Sequence, residues 1–190
     1  MNTQANQGQK GSLTTRWATL DDLPALRSLM TRAIDALQTG FLSPEQIAAS
    51  HAIMGLDTQL IEDGTYLVAE KDGVLAGCGG WSRRATLYGS DQSEGLRDPK
   101  LLDPASDPAR IRAMYTHPDF ARQGIGRLIL RKCEAAAASH GFSAVELMAT
   151  LSGERLYASC GFILIEHVET IAGGVAVPLV RMRKTLNSSD

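Results

Sequence analysis

The sequence predicts a single domain of the α/β (α+β) class. The chain has 190 residues, enough for one sizeable core, and its 44% hydrophobic and 21% charged residues are typical of globular proteins. Short β-rich segments alternate with amphipathic helical patterns along the chain. Lys71-Asp72-Gly73 joins two of those segments in the way that is typical of a tight hairpin. These observations favour a sheet covered by helices.

The N-terminal part of the chain contains two helical patterns. The first begins near Asp21 and ends at Gly40, and its apolar residues fall on one face. The second has Ser43 as its N-cap with Gln46 reaching back, and we expect it to run to about Met54. The strands predicted before and after these helices are Thr14–Ala18, Tyr66–Glu70 and Val74–Trp81.

The C-terminal part is predicted to contain four strands and two helices. One helix follows Gly124 and ends near Gly141, and a shorter one is expected to have Ser152 as its cap. Pro178 indicates an edge strand or a bulge, since proline cannot donate to a ladder. The strands are expected over Arg110–Thr116, Ser143–Thr150, Phe162–Glu169 and Val175–Lys184.

Glycines interrupt the strand that follows the hairpin. Gly77, Gly79 and Gly80 lie within it, and glycine in a strand marks either a bend or bulge or the close approach of a ligand. The sequence leaves these two interpretations open.

The domain boundaries follow from composition. We expect a mobile N-terminal tail over residues 1–12, one domain over 13–186 and a short tail over 187–190. Residues 82–109 form a long irregular loop rich in proline, aspartate and serine, and loops of this length are commonly functional or disordered.

Composition also excludes several function classes. A net charge of −2 argues against a nucleic-acid partner, and no apolar run approaches the length of a membrane span. Residues 1–12 lack the hydrophobic region of a secretion signal, so cytoplasmic localisation is the expectation. The three cysteines are odd in number and have no metal-ligand spacing with the histidines, so no metal is expected.

The stretch from Arg122 to Arg127 is the most informative part of the sequence. It reads Arg122-Gln123-Gly124-Ile125-Gly126-Arg127 and opens a helix directly after an extended segment. The first amides of a helix lack internal partners and the helix dipole makes that end positive, so glycines there let an anion approach the backbone. Arg122 and Arg127 add positive charge, and no acid lies between Phe120 and Lys132. These residues predict an anion-binding site.

Two common phosphate-binding motifs do not fit this stretch. A dinucleotide-binding fingerprint needs glycine where Ile129 stands, and the chain has no Gly-Lys-Ser or Gly-Lys-Thr tripeptide of a Walker loop. The remaining interpretation is a pyrophosphate held without a P-loop.

The stretch resembles the pyrophosphate-binding motif of the GNAT superfamily of N-acetyltransferases, in which Gln/Arg-x-x-Gly-x-Gly/Ala opens a helix. Gly124 and Gly126 match that motif, whereas Ala121 replaces its first residue. A second signature of the family, Leu-Tyr-x-x-x-Gly-Phe, is present as Leu156-Tyr157-Ala158-Ser159-Cys160-Gly161-Phe162. Thr150 stands where many members of the family carry an asparagine that contacts coenzyme A.

The resemblance implies a fold and a cofactor. The GNAT fold is a mixed, mostly antiparallel twisted sheet of six to seven strands with about four helices and splayed central strands. It implies acetyl-CoA, or another acyl-CoA, as co-substrate. The residues that would bind it are Met114, Tyr115, Thr116, Arg122, Gln123, Gly124, Ile125, Gly126 and Arg127.

The resemblance also implies an activity. Tyr157 would lie beside the sulfur and donate a proton to it, because a phenol can protonate a leaving thiolate. The expected reaction is acetyl transfer to a primary amine of a small molecule or peptide, by direct attack in a ternary complex. The alternative is a non-enzymatic acyl-CoA-binding module.

Several assignments remain open at the level of sequence. No general base is readable, and Glu70, Tyr115, His117, Glu146 or a water relay are all candidates. Trp81, Arg83 and Arg84 are candidate substrate residues, since two arginines follow a glycine-rich strand and suit an acceptor with a negative group. The edges offered by the final strands are compatible with a homodimer.

Overall fold

The structure, a computed structural model, describes residues 12–186, and the predicted tails lie outside that range except for Ser12. The described residues form one seven-stranded mixed sheet. Its strands are β1 (Leu13–Trp17), β2 (Tyr66–Lys71), β3 (Val74–Ser82), β4 (Ala109–Thr116), β5 (Ala144–Thr150), β6 (Ile163–Ala172) and β7 (Val175–Thr185). Their order in the sheet is β1-β2-β3-β4-β5-β7-β6.

Five α-helices are found within residues 12–186. They are α1 (Leu23–Leu37), α2 (Pro44–Ser50), α3 (Thr58–Glu62), α4 (Ile125–Ser139) and α5 (Leu151–Ser159). The sequence did not indicate α3, which is only one turn long, and α2 ends earlier than expected. The predicted cap of α2 is confirmed: Ser43 Oγ accepts from the Gln46 amide at 3.2 Å, and Gln46 Oε1 accepts from the Ser43 amide at 3.0 Å.

Two other local predictions were wrong. The cap of α5 is Thr150, whose Oγ1 accepts from the Gly153 amide at 3.2 Å, and not Ser152. Pro178 does not lie on an edge strand, since β7 pairs with β5 on one side and β6 on the other. Its missing N–H is tolerated because Leu179 pairs with Thr150, the last residue of β5, so Pro178 lies just beyond the end of that strand.

The sheet carries a hydrophobic core on each face. In β2, Leu67 and Ala69 pack in the core that contains α4, whereas Tyr66 and Val68 pack in the core that contains α1. This alternation is what a strand buried on both faces requires. Helices therefore cover both faces of the sheet and leave the edges to β1 and β6.

The glycines of β3 serve packing and curvature. The pairing of β3 with β4 shifts register between Cys78 and Gly80, which is a bulge. A Cβ atom on Gly77 would lie 2.6 Å from Ile125 Cγ2, so helix α4 packs against the strand at a distance that only glycine permits. The space beside Gly79 is taken by the Met114 side chain. Of the two interpretations, the structure supports the bulge and close packing.

The predicted splay of the central strands is confirmed. Strands β4 and β5 run parallel but pair only at Ala109–Val145 and Arg110–Glu146. Beyond Arg110 the two strands separate, and β4 continues through Thr116 without a β5 partner. A gap therefore opens in the middle of the sheet, between two layers of helices.

Candidate active site

A cleft of about 840 Å³ occupies the gap between β4 and β5. Its walls include Ile111–Thr116 of β4 and Met148 and Thr150 of β5. Residues from α4 and α5 line it on one face of the sheet, and residues from α1 line it on the other. The splay thus connects the two faces through a single cavity.

The end of the cleft beside α4 is lined by backbone amides, and we call it the amide half. Among the described residues, no group accepts a hydrogen bond from the amides of residues 122–127. The first such bond of the helix is donated by the Leu128 amide to the Gly124 carbonyl, at 3.0 Å. The unpartnered amides fit the anion-binding site that the sequence predicts. The residues of this half are Arg122, Gly124, Ile125, Gly126 and Arg127.

Two left-handed residues shape the amide half. Gly124, the N-cap of α4, has φ +85°, which glycine adopts without strain. Arg122 has φ +64°, which is unfavourable for a residue with a side chain. Backbone strain of this kind is characteristic of ligand-binding segments.

Three arginines lie around the amide half. Arg122 is exposed. Arg127 Nη2 donates a hydrogen bond to Ser159 Oγ at 2.9 Å, which holds the Arg127 side chain in place. Arg155 of α5 also lines the cleft and was not indicated by the sequence. The Gln123 side chain is not part of the cleft lining, because it is bound by Lys71 and donates to the Asp119 carbonyl, whereas its amide is among the unpartnered ones.

Tyr157 lies in the wall of the cleft beside the amide half. Its side chain is 8% exposed and its ring packs edge-on against Phe162, with 5.7 Å between ring centroids. Among the described residues its hydroxyl has no hydrogen-bond partner. Burial raises the pKa of Tyr157 above its usual value, so the phenol keeps its proton at neutral pH. Gly153 makes room for the ring, since a Cβ there would lie 3.2 Å from Tyr157 Cε2.

Strand β4 contributes three of the residues that the sequence assigns to the co-substrate site. Met114, Tyr115 and Thr116 all border it. The Tyr115 hydroxyl lies on the α1 face and accepts from the Gly55 amide at 2.7 Å. Tyr115 therefore borders the cleft without a free hydroxyl, and burial raises its pKa.

The sequence of this chain matches one family model. The model of the acetyltransferase (GNAT) family matches residues 30–162, which begin within α1 and contain β4, α4 and α5. The chain belongs to the GNAT family. Both signatures noted in the sequence lie within this match or end at its last residue.

Solved structures share the GNAT fold with this chain. A GCN5-related N-acetyltransferase from Rhodopseudomonas palustris aligns with a TM-score of 0.68 at 18% identity, covering 91% of this chain and 95% of that one. PaiA N-acetyltransferase from Thermoplasma acidophilum, solved with coenzyme A, aligns with a TM-score of 0.62 at 16% identity over 92% and 99% of the two chains. YncA from Salmonella typhimurium, solved with its cofactor acetyl-CoA, aligns with a TM-score of 0.59 at 19% identity over 93% and 95%. A search of curated proteins found no match.

The other end of the cleft in this GNAT chain is lined mainly by aliphatic and aromatic side chains, and we call it the apolar half. Polar members of this half are Gln38, Tyr88 and Arg112. Gln38 is 3% exposed, and Tyr88 comes from the long irregular loop. The apolar side chains that define this half are Ile34, Leu37, Phe41, Ile53, Met54 and Leu179.

A buried network of charges supports the apolar half. Asp57, 1% exposed, pairs with Arg112 and with Arg97, whose Nη2 lies 3.1 Å from Asp57 Oδ1. Arg97 also pairs with Asp91 at 3.2 Å, and Arg112 donates to the Gly89 carbonyl at 2.8 Å. These contacts fix the loop over residues 82–109 against β4, so the loop is irregular but held in place.

The three candidate substrate residues do not reach the cleft. Trp81 is 2% exposed and packs against His140 and Phe142, at 4.7 and 6.2 Å between ring centroids. Arg84 binds Asp63 through two hydrogen bonds of 2.7 and 2.8 Å. Arg83 is exposed outside the cleft. Successive side chains of a strand point to opposite faces of the sheet, and this alternation directs the Trp81 side chain into the core beside α4 instead of the cleft.

The four candidate bases have other partners. Glu146 is 3% exposed and is bound by Arg110 and Arg181, at 2.9 and 2.8 Å. Glu70 pairs with Arg16 at 2.8 Å. His117 does not line the cleft and accepts from the Asp119 amide at 3.2 Å. Tyr115 is engaged with Gly55, as described above.

Several lining residues were not found by sequence reasoning. Arg112 alternates with Ile111 along β4, and the irregular pattern of that strand concealed its face. Leu87 and Gly89 belong to the long loop, whose path no local pattern specifies. Gly153, in the first turn of α5, could have been identified from the sequence, since a glycine inside a helix commonly marks a position where another group packs closely.

Two further properties concern the described residues only. No helix in this range is long and apolar enough to cross a membrane. No group of three or more histidine, cysteine, aspartate or glutamate side chains in this range is arranged to hold a metal ion.

Proposed function

We propose that this chain transfers an acetyl group from acetyl-CoA to a primary amine of a small molecule or peptide. The observation that carries the proposal is the set of unpartnered amides over residues 122–127, which share a cleft with the unbonded hydroxyl of Tyr157. Membership of the GNAT family supports acetyl transfer in general. The primary-amine acceptor and the mechanism of direct attack are part of the proposal.

The amide half suits the pyrophosphate of coenzyme A. Unpartnered amides at a helix N-terminus are donors for phosphate oxygens, and the helix dipole favours negative charge there. Arg122, Arg127 and Arg155 add charge at the same end. The GNAT structures from Thermoplasma acidophilum and Salmonella typhimurium, which hold coenzyme A and acetyl-CoA, lend support by their shared fold.

The separated part of β4 suits the amide-bearing arm of the same molecule. Residues Met114, Tyr115 and Thr116 border the cleft where β4 has no β5 partner. A strand edge normally needs hydrogen-bond partners. A ligand with amide groups would supply them, and the proposed role of a backbone N–H in this segment is to polarise the thioester carbonyl.

Tyr157 is the proposed proton donor. The neutral amine attacks the thioester carbonyl, the carbon–sulfur bond breaks, and Tyr157 gives its proton to the departing sulfur while the attacking nitrogen loses one to water. Solvent then returns a proton to the phenol. We propose direct attack in a ternary complex, since no described side chain makes a hydrogen bond to the Cys160 thiol that could activate it as a nucleophile.

Tyr157→Phe tests this proposal. We expect kcat, measured by thiol release from acetyl-CoA across a panel of amines, to fall about ten-fold or more, while the Kd for coenzyme A is unchanged. Tyr66→Phe is the matched control, because it removes a phenol outside the cleft, one that donates to the Ala113 carbonyl at 2.8 Å. Equal activity of Tyr157→Phe and Tyr66→Phe would remove Tyr157 from the mechanism.

The same assay separates the enzyme from the alternative. A wild-type chain that binds coenzyme A but acetylates no amine in a broad panel is a binding module, and the proposed activity is then wrong.

We further propose that residues 13–186 act as one acyltransferase domain in the cytoplasm. A homodimer is proposed through β6, the outer strand of the sheet, on which Ile163, Leu164 and Ile165 are 65, 48 and 45% exposed. Sedimentation equilibrium tests it, and a monomer at all concentrations would contradict it.

A further inference from the structure

The cleft has an unusual balance of charge. Among the described residues that line it, none is aspartate or glutamate, whereas four arginines are present. Arg122, Arg127 and Arg155 lie at the amide half, and Arg112 lies at the apolar half. An amine that binds here meets no carboxylate in the lining.

Two acids behind the apolar half are paired with arginines. Asp57 and Asp91 are held by Arg97 and Arg112 in the buried network. Asp35 of α1 lies 57% exposed outside the cleft and pairs with His51 at 2.7 Å. Among the described residues, no carboxylate therefore lies in the cleft lining to pair with a bound cation.

An ammonium group is costly to bury in such surroundings. Desolvation disfavours the charged form of an amine, and the described lining holds no carboxylate to compensate for it. The reacting amine escapes this cost, because it must lose its proton before it attacks. A second ammonium on the same molecule does not react, so it would stay charged next to aliphatic side chains and a buried arginine.

We propose that the acceptor is a primary amine carried on an apolar body and bearing no second positive charge. Ile34, Leu37, Ile53, Met54 and Leu179 would contact that body. Polyamines and aminoglycosides, which carry several ammonium groups, are excluded as preferred acceptors. This inference rests on the proposed acetyl transfer and specifies its substrate class.

A matched pair of amines tests the inference. Hexylamine and hexamethylenediamine have the same chain, and the second adds only one ammonium group. With acetyl-CoA saturating, we expect kcat/KM for hexylamine to be at least about ten-fold higher, after allowing for the two equivalent amines of the diamine. Comparable kcat/KM values would overturn the inference and leave the proposed acetyl transfer standing.

A charge added to the apolar half sharpens the test. Phe41 lines this half but is 49% exposed, so Phe41→Glu places a carboxylate there without burying it. We expect the preference for hexylamine to shrink at least about three-fold. Leu101→Glu is the control, since Leu101 is 58% exposed and lies outside the cleft lining. The ratio of kcat/KM for hexylamine to that for hexamethylenediamine should be the same in this variant as in the wild type.

The outcomes for the two proposals differ. If Phe41→Glu and Leu101→Glu change the preference for hexylamine equally, the inference is contradicted, but the proposed acetyl transfer is not. If no amine of any class is acetylated although coenzyme A binds, the proposed function is wrong, and this inference is wrong with it.

Discussion

The two halves of the cleft are built in opposite ways. The amide half is made by main-chain groups of one short stretch, residues 122–127, at the start of α4. The apolar half is made by side chains that come from α1, the segments on either side of α2, the loop before β4, β4 itself and β7. One half is local in sequence and the other is assembled by the whole fold.

This difference explains what each half can recognise. Backbone amides bind any phosphate of suitable shape, so their specificity depends on two glycines and a helix terminus. Side chains contributed by distant segments can vary independently while the sheet stays the same. We therefore expect the amide half to set the co-substrate and the apolar half to set the acceptor.

The largest effect is expected from removing the charge that supports the apolar half. Asp57→Ala leaves the buried Arg112 without a carboxylate, and breaking a buried ion pair costs about 3–5 kcal/mol of unfolding free energy. Urea denaturation of the variant and the wild type measures the loss of unfolding free energy. Asp35→Ala, which breaks an exposed pair, should cost less than about 1 kcal/mol. Similar losses for the two variants would show that the network does not support the fold.

Filling the amide half should weaken coenzyme A binding. A Cβ on Gly126 would lie 2.9 Å from Leu156 Cδ2, so Gly126→Val crowds the cleft wall beside the unpartnered amides. We expect this crowding to cost about 1–3 kcal/mol of binding free energy, which is a rise in Kd of about five-fold to more than a hundred-fold by calorimetry. Gly95→Val is the control, because nothing lies within 4 Å of that Cβ position. An unchanged Kd for Gly126→Val would place the coenzyme elsewhere.

The pH dependence of catalysis tests whether the apolar half contains a base. Among the described residues, the cleft lining has no histidine or carboxylate, and burial raises the pKa of both Tyr115 and Tyr157. Only the neutral amine attacks, so kcat/KM should rise with pH through the pKa of the acceptor itself. The phenol of Tyr157 stays protonated past its ordinary pKa, so no fall is expected below about pH 10.

Two acceptors make that expectation measurable. For benzylamine and hexylamine, the rising limbs of kcat/KM should be separated by the difference between their own amine pKa values. Rising limbs at the same pH for both would reveal a titrating group of the protein.

The smallest effect is expected at Arg122. Arg122→Gly removes one exposed charge but keeps the amide and suits the left-handed backbone at φ +64°. The Kd for coenzyme A should rise no more than about five-fold, since an exposed ion pair contributes at most about 1 kcal/mol. A much larger loss would mean that the side chain, rather than the backbone, binds the phosphates.

The same contrast describes what the sequence could predict. The amide half was predictable because Gly124 and Gly126 act through their own local backbone, and the hairpin at Asp72-Gly73 was predictable for the same reason, with φ of 53° and 78°. The splay of β4 and β5 followed from family resemblance. Gln123 was assigned to the site, but its side chain is bound by Lys71 from a distant strand, so only its main-chain amide is left to contribute.

The apolar half was beyond local reasoning. Arg83 and Arg84 were expected there because of their charge and their place after β3, but Asp63, just after α3, binds Arg84 instead. Arg112 was not expected there, because its face of β4 depends on a bulge and on Asp57. Long-range pairs of this kind are set by tertiary packing, and the local periodicity of a sequence does not indicate them.

Calorimetric titration with coenzyme A and with pantetheine, which lacks the pyrophosphate, tests the central claim most directly. If the amides of residues 122–127 hold the pyrophosphate, coenzyme A should bind with measurable heat and pantetheine should bind far more weakly or without detectable heat. Equal affinity for the two compounds, or no heat with coenzyme A, would contradict the account.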